Sequence, residues 1–261
     1  MRVWYWLHKE NIINFGEHIT GFILDYFGVK WTDFSKSDSD TCLLIIGSEL
    51  HKSKMNELRN AGIKKVHIWG QGRGHDNVFD KSEYDVEFHL VRGDRTKTDY
   101  DLPNTVPTGD PAFILPLIFP IDADKSFGIT YAPHMQNRKD IIAKKKQMGF
   151  DDYFDVMFQK GIFPDRLKRL VKSEFVLTNS LHITIVCLAY NVPFSVCLRE
   201  DENFVMPDKW KDVFEWCGLN FEIVHNYKQG LKWWKKEVKG KELPDAKKIL
   251  DSFPKHIFDE E

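Results

Sequence analysis

Cysteine is scarce in this chain of 261 residues: Cys42, Cys187, Cys197 and Cys217 are its only four, and no two form a C-x-x-C pair. Each lies in an apolar or amphipathic segment. That pattern argues against a zinc ribbon and against a disulfide framework, and it leaves buried free thiols in a reducing, cytoplasmic setting as the expectation. Long apolar runs are lacking as well. The longest, Phe113–Ile121, holds nine residues with Pro116 and Pro120 inside it, too short and too broken to span a bilayer. The apolar part of residues 1–8 is too short for a secretory signal. Net charge is nearly absent: 37 Lys and Arg stand against 39 Asp and Glu, a formal balance of −2, which gives no global case for a nucleic-acid partner. Internal repeats and low-complexity tracts are missing. No His, Cys and carboxylate cluster shows metal-ligand spacing, so no metal is expected. Gly70-Gln-Gly-Arg-Gly74 lacks the spacing and the following helix of a dinucleotide fingerprint, and no Gly-Lys-Ser/Thr of a P-loop occurs.

What is present is an ordinary globular composition, 42% hydrophobic and 29% charged, with many aromatics: 20 Phe and 8 Trp. The length suits one large domain or two of about 110–130 residues. Strand-length apolar runs at 3–7, 42–46, 65–69, 84–91, 127–131, 155–158, 175–177, 194–198 and 221–224 alternate with helical patterns. Helices are expected over 14–28, 137–148, 163–172, 181–190, 209–216, 231–239 and 245–253. Such alternation predicts an α/β fold with parallel sheets. Segment 31–41 reads as a surface loop, and Lys97–Thr108 as a polar bridge toward the second half. Asp110 is placed to cap a short helix opened by Pro111.

The segment from Glu174 to Cys197 organises the second half. It reads as strand, turn, helix, turn, strand. Thr178, Asn179 and Ser180 favour a helix N-cap, and Pro193 ends the helix after Asn191. His182 is the polar exception in the first helical turn. A helix N-terminus is a ready anion site, and histidine there can move a proton near neutral pH. The same position also suits a structural hydrogen bond. In the first half, Asn14-Phe-Gly-Glu17 lies between a strand and a helix, where Gly16 permits close backbone approach and Asn14 or Glu17 can equally serve as a cap. Three strands end in Gly-containing polar loops: Gly47-Ser-Glu49, Gly70–His75 and Arg92-Gly93. Ligands of open parallel sheets sit at such carboxyl ends.

In this order, Asn14-Phe-Gly-Glu17, Ile46-Gly-Ser48, Ile68-Trp-Gly-Gln-Gly72, Val91-Arg-Gly93, Gly109-Asp-Pro-Ala112, Ile129–His134, Asn179-Ser-Leu-His182 and Tyr190-Asn-Val-Pro193 resemble the motifs of the polysaccharide pyruvyl transferase family. Lys211-Asp212 with Gly218, and Phe253-Pro254, are similar to its tail. Glu17 stands where the family has Asp, Ile183 where it has Gly, and Ser180 where some members have Arg. The resemblance implies two Rossmann-like domains facing across a cleft, similar to glycosyltransferase type B. The expected division is residues 1–120, residues 121–235 and a helical tail, 236–261. It implies that the pyruvyl group of phosphoenolpyruvate passes to two hydroxyls of one sugar, forming a pyruvate ketal. The acceptor would be a sugar or glycan, lipid-linked if the enzyme works at a membrane surface, and no cofactor is needed beyond the donor. His182 is then the expected general acid and Glu17 the base. Arg92, Asn179, Ser180, Leu181 and His134 are expected on the donor side, Asn14, Gly16, Arg73 and His75 on the acceptor side. A nucleotide-sugar glycosyltransferase and a non-catalytic glycan-binding relative remain as alternatives.

Overall fold

The computed structural model describes residues 1–4, 12–34, 38–74, 78–122, 124–159, 161–199 and 207–259. In chain order the first half holds β1 (Arg2–Trp4), β2 (Ile12–Asn14), α1 (Phe15–Phe27), β3 (Thr32–Asp33), β4 (Thr41–Leu44), α2 (Lys52–Asn60), β5 (Lys65–Gln71), β6 (Asp85–Val91), α3 (Asp94–Asp99) and α4 (Leu115–Ile118). The second half holds β7 (Phe127–Ala132), α5 (Ile141–Met148), β8 (Asp152–Tyr153), β9 (Met157–Gln159), α6 (Phe163–Val171), β10 (Ser173–Thr178), α7 (Leu181–Ala189) and β11 (Phe194–Val196), followed by α8 (Pro207–Trp216), α9 (Tyr227–Glu237) and α10 (Ala246–Asp251).

The strands build two parallel sheets, ordered β3-β1-β4-β5-β6 and β11-β10-β7-β8. The expected α/β class with two Rossmann-like halves is what forms. The inner strands are continuous apolar runs because helices or loops cover both of their faces. Caps follow the sequence signals. Asn14 Oδ1 accepts from Gly16 N (2.9 Å), Gly28 closes α1 at φ 63°, and Asp110 Oδ1 accepts from Ala112 N (2.9 Å). Asn191 takes the left-handed conformation (φ 53°) that ends α7 ahead of Pro193.

Several local expectations differ from the structure. Tyr5–Leu7 of the expected first strand lie outside the described residues. Thr32–Asp33, expected in a loop, pairs with β1. Lys97–Asp99 of the expected polar bridge belong instead to a helix, Asp94–Asp99, its first turn held by Asp212. The expected helix over 137–148 breaks at Asp140 (φ 56°), so α5 begins only at Ile141. Residues 221–224 make one isolated bridge, Cys197↔Val224, and no strand.

The most consequential difference is β9. Rather than joining the second sheet, it pairs antiparallel with β2 of the first half, Ile13 opposite Phe158. A chain segment from each half therefore clamps the other, and at the junction Phe154 and Phe158 meet Phe15 edge-on while Phe163 meets it tilted. The C-terminal segment completes the union. Phe253 stacks on Phe27 with ring centroids 3.7 Å apart, and Trp69 Nε1 donates to Ser252 Oγ (2.9 Å). One hydrophobic core runs through both halves, from Val3 and Ile45 to Leu177 and Trp233. All four cysteines are buried and free. Among the described residues no helix is long and apolar enough to cross a membrane.

Candidate active site

Carboxyl ends of strands from both sheets border one cavity of about 180 Å³. The first half supplies Asn14, Glu17 and the loop Gly47–Glu49; the second supplies His134, Met135, Ser180–His182 and Lys209. The β2–β9 clamp positions the first of these. Phe15 N donates to Val156 O (2.8 Å), and Asn14 Nδ2 lies 3.6 Å from Met157 Sδ, so α1 starts at a fixed place against the second half.

His182 enters from the start of α7. This helix is anchored by burial: Ile183, Ile185, Val186 and Leu188 are essentially inaccessible, each stabilising by about 1.5–3 kcal/mol. Ile183, at the family's glycine position, is part of that buried set. Ser180 is the N-cap residue, but its side chain makes no capping bond. The first N–H groups of α7 have no partner within the helix, so they remain available to an anion at the cavity. The approach to the helix is rigid. Thr178 Oγ1 donates to Ala132 O (2.6 Å) and accepts from Ser180 N (3.0 Å). Asn179 Oδ1 accepts from His134 N (2.5 Å). Asn179 therefore locks the end of β10 to the end of β7 and does not itself line the cavity.

Gly16 lies directly against His182. A Cβ at Gly16 would overlap the imidazole at Nδ1 and Cγ. The two sequence motifs carrying these residues, 166 positions apart (182 − 16), thus share one wall of the site.

Electrostatics favour an anionic occupant. Burial pushes the His182 pKa down to about 3, and Lys209, Arg92 and His134 push in the same direction. Although part of the residue's surface opens to the cavity, dense protein around the ring leaves it neutral at pH 7. His134 is lowered to about 4, by burial and then by Lys209. Lys209 is lowered to about 8 by burial and by Arg92, with Glu17 opposing. The site therefore presents a cation, two neutral imidazoles, open helix N–H groups and two carboxylates, Glu17 and Glu49.

Arg92 is placed differently from the sequence expectation. It lies beneath the loops, 1% exposed, with its donors turned to protein. Nη1 donates to Gly47 O (3.2 Å) and Ser48 Oγ (2.7 Å), and Nη2 to Arg73 O (3.0 Å). Nε faces Asp212 Oδ2 of α8 at 3.5 Å. Arg92 ties the cavity loops together and does not itself line the cavity. Gly72 leaves the space its guanidinium occupies, and Gly74 the space for Ser48 O. The glycine-rich loop is thus packing around Arg92, not a phosphate cradle. Arg73 is also committed, Nη1 to Asp99 Oδ2 at 3.0 Å, and does not line the cavity. His75 lies outside the described residues.

The sequence reading missed Lys209, Glu49 and Met135. Gly47-Ser-Glu49 did stand out as a polar strand end. Lys209 carried no signal, because it sits on a third element whose packing alone brings it to His182. The structure also gathers His67, Glu87 and His89, donors within 4.8 Å of one another and none of them at the cavity. They are dispersed over two strands, so no ligand spacing was visible.

Comparison with solved structures places the fold beside an uncharacterised protein of Klebsiella pneumoniae subsp. pneumoniae NTUH-K2044. That match has 15% identity and a TM-score of 0.50, over 85% of this chain and 92% of that one. The wall teichoic acid polymerase TagF aligns more loosely, with 9% identity and a TM-score of 0.42 over 99% of this chain and 88% of that one. No curated protein sequence matches the chain significantly. The sequence profile of the polysaccharide pyruvyl transferases matches residues 4–201, and the chain belongs to that family.

Proposed function

We propose that the cavity binds phosphoenolpyruvate and transfers its pyruvyl carbons to two hydroxyls of one sugar of a glycan. The observation that carries this reading is the meeting of Glu17, His182 and Lys209 around one small cavity, with Gly16 packed against the His182 ring. At about 180 Å³ it falls below the ~300–1,000 Å³ usual for drug-sized ligands. That favours a compact donor over a nucleotide sugar.

The donor's phosphate and carboxylate bring negative charge to Lys209 and to the N-terminus of α7. Those charges raise the His182 pKa, so the imidazole takes up a proton as the donor binds. The imidazolium delivers it to the methylene carbon, forming a C–H bond and leaving an oxocarbenium-like centre at C2. A sugar hydroxyl attacks that centre and loses its proton to Glu17. The C2–O bond to phosphate then breaks, and the second hydroxyl adds, its proton passing to the departing phosphate. One donor and one diol become one ketal and one phosphate. His134, whose ring borders the same cavity, helps orient the donor, and Asn14 fixes the start of α1.

Purified protein incubated with phosphoenolpyruvate and a panel of galactosides and lipid-linked glycans is expected to release phosphate. Stoichiometric ketal should appear by NMR. Absence of both across the panel, with thermal stabilisation by a nucleoside diphosphate instead, would favour the glycosyltransferase reading.

A further inference from the structure

We propose that His67, Glu87 and His89 form a binding site for a divalent transition-metal ion of the zinc class, separate from the transfer cavity. The site rests on register. His67 of β5 pairs with Glu87 of β6, and a bulge follows, because Ile68 pairs with Phe88 but Trp69 with Leu90. His89 is the extra residue of that bulge. Bulges re-aim side chains, and here the imidazole turns toward its neighbours. His67 Nδ1 and His89 Nε2 are 2.9 Å apart. Glu87 Oε2 is 3.5 Å from His67 Nδ1, and Glu87 Oε1 is 3.8 Å from His89 Nε2.

These edges bracket the ~3.3 Å ligand separation of a tetrahedron with metal bonds of about 2.0–2.1 Å. Two imidazoles and one carboxylate are a donor set suited to zinc and poorly suited to calcium or magnesium. His67 is only 3% exposed, so the donors are screened from solvent on that side. Other charged groups face the cluster. Lys65 Nζ lies 3.1 Å from Glu87 Oε2 and competes for that oxygen. Asp85 adds negative charge, and His256 approaches from the C-terminal segment, its ring 5.9 Å from that of His89. A metal here would fasten the edge strand β6 to its neighbour β5.

The test uses the full chain after chelator treatment. Titration with Zn2+ by calorimetry is expected to show one equivalent bound, with a rise in Tm. Co2+ should give the intense visible bands of a tetrahedral site without a thiolate charge-transfer band. Glu87→Gln should weaken Zn2+ binding at least ~10-fold, since even outer partners of ligands are worth that much. His89→Gln should weaken it further. Glu87 is half exposed, so its variant keeps the fold even where His89→Gln does not. The proposal is overturned by no stoichiometric uptake, as a bare His–His hydrogen bond would give. Binding unchanged in Glu87→Gln, or a thiolate signature that assigns the metal to cysteine, overturns it too.

Discussion

Gly16 and His182 are in direct contact, and the space that a Cβ would need at Gly16 is filled by the imidazole. This is a constraint between the first turn of α1 and the first turn of α7. It explains why glycine occupies a helical position where it costs about 0.5–1 kcal/mol relative to alanine. Gly16→Ala is expected to fold with a penalty of about 1–3 kcal/mol from overpacking. Activity should fall as well, on the order of 100-fold, because a displacement near 1 Å of a reacting group has that effect. Circular dichroism and steady-state rates on one preparation check both parts. A fully active Gly16→Ala would remove His182 from the chemistry.

Proton uptake follows from the low pKa of His182 in the empty site. The free-state value is about 3, and donor anions move the bound-state value upward. The sign is fixed by linkage: a group with a higher pKa in the complex binds a proton on association. Donor affinity is then greatest at low pH and declines as pH rises through the bound-state value. Calorimetry of phosphoenolpyruvate binding at pH 6.5, in buffers of different ionisation enthalpy, should show net uptake that disappears in His182→Gln. At that pH Lys209, with a pKa of about 8, is already charged and contributes little. Uptake of equal size in wild type and His182→Gln would defeat the assignment.

Lys209 is the cation nearest to the proposed donor. Charge-assisted hydrogen bonds contribute about 1.5–3 kcal/mol. Lys209→Met should therefore raise the donor KM by roughly 10–150-fold, with a smaller change in kcat. It should also leave His182 with a less depressed pKa, since Lys209 is the largest contributor after burial. Rates at several donor concentrations separate KM from kcat, and an unchanged KM would place the phosphate elsewhere.

Much of this site was legible in the sequence, for identifiable reasons. Strand, cap and turn signals around Thr178–His182 are local, and so they placed the N-terminus of α7. Asn14 and Gly16 were legible through motif order. Arg92 was found but its partners were not: a sequence shows a guanidinium at a strand end, not the carbonyls that accept from it. Lys209 and the β2–β9 pair depend on contacts between the two halves, which no local periodicity encodes. The His67–Glu87–His89 group depends on strand register and one bulge, features decided by side-chain packing across the sheet.

Arg92 and Asp212 test the opposite kind of role. Both are almost fully buried, and Asp212 also accepts from Thr96 Oγ1 (2.6 Å). Removing one partner leaves the other as an uncompensated buried charge, at a cost of about 3–5 kcal/mol. Arg92→Met should lose stability on that scale in urea denaturation. The double variant Arg92→Met with Asp212→Asn should lose less than the sum of the singles. Strict additivity would mean that the two groups do not interact. A donor KM raised with stability intact would restore Arg92 as a direct ligand of the donor.

The C-terminal segment is tied to the first half mainly through Phe253, stacked on Phe27 and edge-on to Trp69 at 5.1 Å. Phe→Ala changes in a core cost about 3–5 kcal/mol. Phe253 is 9% exposed, which puts Phe253→Ala near the lower end of that range. The loss should be shared by α8 and its Lys209, because Ile249 of the same segment packs at Gly109 beside Trp216. Hydrogen exchange in Phe253→Ala is expected to rise in 109–118 and 207–216 together, and the donor KM to rise with it. Faster exchange confined to residues 246–258 would show instead that the segment is an independent strap, with no influence on the site.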